Sequence, residues 1–176
     1  RVLLEKKAHC IEGALFGATA LWYQGKKPLV LHLSTTSADQ DHVVSLFKDN
    51  GYWGAISKSN HATLRFRDPV YKTIRELVMS YFNEYYAYKG GKKTLRGYTK
   101  PINLKKFGSK WITEEKDLWK INDALFDAPH FPIAPSNVLK KLRGVDPIEI
   151  EVGEITEWKK PELDGHTLCR EFRPYV

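Results

Sequence analysis

The chain has only two cysteines and one methionine among its 176 residues, and no CxxC pair. Cys10 and Cys169 lie far apart, which argues against a zinc site and against a disulfide framework and favours free thiols in a reducing, cytoplasmic setting. No metal or cofactor is called for: His9, His32, His42 and Cys10 lack ligand spacing. No run approaches the roughly 18 apolar residues of a membrane span, and no apolar segment has the flanks of a signal peptide. A membrane role is therefore not expected. The chain opens on Arg1 rather than Met, which fits removal of an upstream segment. Internal repeats and low-complexity tracts are lacking too.

Hydrophobic residues make up 42% and aromatics 12%, enough for one domain with a sizeable core. Acidic residues are missing from 89–110, where eight basic residues exceed the net charge of +7 of the whole chain. Tyr98, Phe107 and Trp111 are interleaved with them, as on a nucleic-acid-binding surface. Lys dominates and no nucleic-acid motif is present, so a solvated hairpin face is the preferred reading.

The pattern turns on Cys10. Ile11, Ala14, Leu15, Ala18, Leu21 and Trp22 follow it at helical spacing, and Gly25 stands where a left-handed C-cap belongs. Gly13 and Gly17 cost about 1 kcal/mol each in propensity but let another backbone come close. A thiol in the first turn faces unpaired N–H groups and the positive helix end, which favour thiolate. Glu12 reads as a dipole partner in that turn. The competing reading of Cys10 is a small buried hydrophobe.

Residues 29–33 and 42–47 read as strands, with His32 a core histidine, and Asp49-Asn50-Gly51 as a hairpin turn before a strand over 52–57. Asp68-Pro69 predicts the cap of a long helix through Tyr85, with Tyr81, Tyr85, Tyr86 and Tyr88 as its packing face and wet edge. Two short strands are expected around Lys100-Pro101, then a helix through Leu118 and Phe126, a short helix near 137–143 and a strand near 148–155. The expected fold class is α+β: a Cys-bearing helix on an antiparallel sheet, with a domain over 1–128 and an extension over 129–176 packed on it.

Cys10 at a helix start and His42 at the head of a strand 32 residues later supply a nucleophile and a general base. A Cys leading a small-residue helix, then a strand, then Asp41-His42-Val43-Val44, a Gly turn and Tyr52-Trp53 resembles the core of the transglutaminase-like superfamily of papain-type cysteine enzymes. The resemblance spans roughly Ala8 to Asn60. It implies a papain-like core, with Cys10 as nucleophile and His42 as base. Where the family carries an Asp, four residues past the Trp, this chain has Ser57. Asn60 is the other candidate to orient the imidazole, with Asp41 and Asp39 behind it.

The resemblance implies a hydrolase or acyltransferase acting through a thioester on an amide- or thioester-bearing substrate, such as a protein or peptide. The alternative is an inactive member of that fold that binds a partner through the basic face. Trp53, His61 and Arg65 are substrate-binding candidates, each with a plain alternative: a core Trp, and a loop anchored by Arg65 and Arg67.

Overall fold

The computed structural model describes residues 2–116 and 118–156. Seven strands form one antiparallel sheet: β1 (Leu29–Ser34), β2 (His42–Asp49), β3 (Tyr52–Ile56), β4 (Arg67–Tyr71), β5 (Gly97–Thr99), β6 (Ile102–Asn103) and β7 (His130–Pro132). Their order is β4-β3-β2-β1-β5-β7, and β6 pairs with the first half of β1. Around the sheet lie α1 (Val2–Glu5), α2 (Cys10–Tyr23), α3 (Ile74–Met79), α4 (Trp119–Phe126), α5 (Ser136–Leu139) and α6 (Pro147–Gly153). The α+β class expected from the pattern is therefore present, and no helix among the described residues is long and apolar enough to cross a membrane.

Strand alternation divides the core between the two faces of the sheet. Val30 and Val43 pack with Ala14, Leu15 and Ala18 of α2 and with Ile121 and Leu125 of α4. Leu31, Leu33, Val44 and Leu46 pack on the other face with Leu77, Val78, Tyr81, Tyr85 and Ile133. Each fully buried Leu or Val contributes roughly 2 kcal/mol in apolar burial. This double-sided covering explains why β1 and the first half of β2 read as continuous apolar runs.

The two helical glycines seat α2 against the sheet. A Cβ on Gly13 would stand 2.3 Å from Lys58 Cβ, and one on Gly17 3.3 Å from Ser45 Cβ. Asn50 and Gly51 both take positive φ, 46° and 87°, as a two-residue hairpin of the primed type requires.

Two expected elements are different in kind. Residues 67–71 form an edge strand, not the start of a long helix. Pro69 lacks an N–H, which an edge strand tolerates because one side makes no ladder bonds. The actual cap of α3 is Thr73, whose Oγ1 accepts from the Glu76 N–H at 3.1 Å. Residues 147–153 are helical rather than extended, because Asp146, Pro147 and Glu149 supply a complete N-terminal capping box with a first-turn proline. The two short strands around Lys100-Pro101 are present, and β7 carries the sheet past residue 128 by pairing with β5.

Candidate active site

α2 starts at Cys10, and Glu12 Oε2 accepts the His9 backbone N–H at 2.8 Å, closing its first turn. The backbone N–H groups of Val43, of Ile11 and of Cys10 itself bear on the Cys10 sulfur and favour its charged form. The nucleophile candidate therefore sits against β2 one residue from His42. Burial pushes the thiol above its ordinary value and outweighs those donors and the charge of Lys58. The resting state is the thiol, which corrects the expectation of a thiolate at a helix start: desolvation of the charged form wins over the dipole. Cys10 is a free cysteine, while Cys169 lies outside the described residues, as does His166.

His42 is buried at the head of β2, and its Nε2 is hydrogen-bonded with Ser57 Oγ just beyond the end of β3. Ser57 thus occupies the place beside the imidazole that its spacing from Trp53 suggested. Nδ1 makes no hydrogen bond with the described residues, and none joins the ring to the Cys10 sulfur. Burial, helped by the charges of His61 and Lys58, lowers the His42 pKa to about 4. The imidazole is neutral at pH 7, the state a general base needs.

The other candidates are spread around this pair. Asn60 Oδ1 accepts from Lys58 Nζ at 2.7 Å and does not reach His42. His61 Nδ1 is 2.9 Å from the Gly153 carbonyl, which ties the loop after β3 to α6. Arg65 Nε donates to the Ser59 carbonyl at 2.9 Å, anchoring the same loop. Arg67 donates to Ser80 Oγ and the Thr63 carbonyl and lies over the Tyr81 ring at 4.0 Å. Trp53 is four residues back along β3 from Ser57, about 13 Å at strand rise. There it packs against the core, with Lys48 Nζ 5.3 Å from its ring.

Asp39 and Asp41 hold the loop that delivers His42. His32 Nε2 donates to Asp41 Oδ2 at 2.9 Å, and the Thr35 N–H and Oγ1 donate to Oδ1 at 2.7 and 2.9 Å. Burial would raise the Asp41 carboxyl, but these bonds prevail and hold it below its ordinary value. Thr94 Oγ1 donates to Asp39, whose carboxyl burial nonetheless raises. Neither acid is hydrogen-bonded to His42.

The basic stretch 89–110 is partly structural. Lys93 is buried, donating to the Asn83 carbonyl at 2.7 Å, and Lys105 and Lys106 lie over the rings of Trp22 and Phe107. No group of His, Cys, Asp and Glu able to hold a metal is present among the described residues. No family model and no curated protein matches the chain.

Proposed function

We propose that the chain is a cysteine-dependent acyl-transfer enzyme, a hydrolase or acyltransferase, with Cys10 as nucleophile, His42 as base and Ser57 as the residue that orients the base. The observation that carries this reading is the His42–Ser57 hydrogen bond, with a free thiol at Cys10 on which the N–H of the next residue along β2, Val43, bears. It is also the reading under which the resemblance to transglutaminase-like, papain-type enzymes has chemical content. Ser57 accepts the Nε2–H, which fixes the tautomer with a basic Nδ1. Nδ1 takes the thiol proton as sulfur bonds to the acyl carbon and the carbonyl electron pair moves onto oxygen. When that pair returns, the bond to the leaving amine or thiol breaks, and the imidazolium returns its proton to the leaving group. Water or an amine then attacks the thioester, giving its proton to His42 and releasing Cys10. This reading assigns the oxyanion to N–H groups of the first turn of α2 as they leave the sulfur.

A neutral Ser neither carries nor stabilises charge as an Asp does, so the resting pair is thiol and imidazole rather than thiolate and imidazolium. Iodoacetamide alkylation of Cys10 at pH 7 tests this reading. The reading predicts a rate at least about 10-fold lower in His42→Gln, the lower end of what a positioned base contributes. Equal rates in the two proteins would make Cys10 a structural residue.

A further inference from the structure

The chain leaving β3 brings a cation to the start of α2. The β2–β3 ladder pairs Ser45 with Ile56, and the same register carried two residues further sets Lys58 across from Val43. Strand alternation turns both side chains toward the α2 face, where Val43 packs with Ala14, Leu15 and Ala18. Gly13 shows this directly for Lys58: the atoms nearest to a Cβ at Gly13 would be Lys58 Cβ at 2.3 Å and Cγ at 3.0 Å. Gly13 follows Cys10 by three residues, so the two lie on one side of the first turn of α2. The Lys58 stem therefore crosses the turn that carries the thiol, and it does so one residue after the serine bonded to His42.

Cys10, Gly13 and Lys58 are all half-buried, so this end of α2 is open to solvent. Lys58 Nζ donates to Asn60 Oδ1 at 2.7 Å. Asn60 is neutral, and this bond holds the ammonium in place without cancelling its charge. The nearby acids have other tasks: Glu12 takes the His9 N–H, Asp41 binds His32 and Thr35, and Asp39 binds Thr94. Burial dominates the titration of Cys10 and of His42, and the Lys58 charge acts on both, as a cation beside the pair must.

We propose that Lys58 is the substrate-binding cation of this site, and that Cys10 takes acyl donors bearing a carboxylate close to the carbonyl under attack. This inference rests on the acyl-transfer reading above. The ammonium and the carboxylate form a charge-assisted hydrogen bond, which holds the carbonyl over the sulfur. A neutral acyl donor of the same length lacks that anchor. Added salt weakens the attraction.

The test compares charged and neutral reagents of matched size at Cys10, followed by peptide-level mass spectrometry. Iodoacetate is set against iodoacetamide, and the aryl thioester of malonate against that of propionate, each rate ratio divided by the same ratio for N-acetylcysteine. The proposal predicts that both normalised ratios favour the anion in the wild type. They fall about 10-fold in Lys58→Met, the scale of one hydrogen bond to a charged group, and are largely kept in Lys58→Arg. Methionine keeps an unbranched stem against Gly13, and urea unfolding checks that the fold is retained. In the wild type alone, the preference shrinks as salt is added. Ratios equal in the wild type and Lys58→Met, or unmoved by salt, overturn the proposal while leaving Cys10 a nucleophile that accepts acyl groups. A parallel fall for charged and neutral reagents also overturns it, since Lys58 would then act on the thiol. A wild type that alkylates through His42 but accepts neither acyl group removes the acyl-transfer reading and this inference with it.

Discussion

Replacing His42 with Gln removes a specific part of the protein's acid sensitivity. In the fold this imidazole titrates at about 4, against about 6.5 in an unfolded chain. Between those values the unfolded state binds the extra proton, so stability rises with pH and is lost as pH falls from about 6.5 toward 4. Integrated from neutral pH, the group costs the wild type about 2 kcal/mol by pH 5 and approaches 3 kcal/mol at the low end of the window. Gln carries no such titration and can still hydrogen-bond with Ser57. Urea unfolding of both proteins at pH 7 and pH 5 gives the comparison, each variant serving as its own reference so that any fixed cost of the substitution cancels. The difference between the two pH values should be smaller in His42→Gln by about 2 kcal/mol. An equal loss in both proteins would refute the burial of a neutral imidazole at this position, and with it the base assigned to the site.

Gly13→Ala brings a methyl 2.3 Å from Lys58 Cβ. The clash should outweigh the gain in helix propensity and cost about 1–3 kcal/mol in urea unfolding, with α2 displaced and Cys10 alkylation altered. Ser57→Ala leaves His42 Nε2 without its partner and should slow alkylation about 10-fold or more at pH 7. Asn60→Ala should leave it within about twofold, because Asn60 is held by Lys58 rather than by the imidazole. Thr73→Ala should cost about 1 kcal/mol, the usual value of a Ser or Thr N-cap, read from the unfolding midpoint.

The elements around the proposed nucleophile were legible because one local signal governs each. Helical spacing after Cys10 and a positive φ at Gly25 define α2, and the Asn50-Gly51 turn fixes the β2–β3 hairpin. Ser57 entered only as the position, four past Trp53, where the resemblance expects an Asp, and the structure hydrogen-bonds it with His42. What local sequence could not weigh was tertiary competition. Asp68-Pro69 has the chemistry of a helix start, yet pairing with β3 at the sheet edge draws residues 67–71 into a strand. Asp146-Pro147 carries the same kind of signal, and there, with Glu149 completing the box, the helix forms. Asn60 and Ser57 were indistinguishable by spacing, and only the direction of the chain after β3 separates them. Tyr85 was read as part of a long helix face; it instead ends a short 3-10 helix over Phe82–Glu84 and is buried in the core on the Leu33 and Val44 face of the sheet.

The most direct measurement is capture of an acyl group on Cys10. The protein is mixed at pH 7 with a small activated thioester, quenched in acid within the first turnover and mapped by peptide mass. The account predicts a thioester on Cys10 that hydroxylamine releases, that is absent in Cys10→Ala and strongly reduced in His42→Gln. Acyl groups found only on lysines, or a Cys10 adduct formed equally fast without His42, would contradict it.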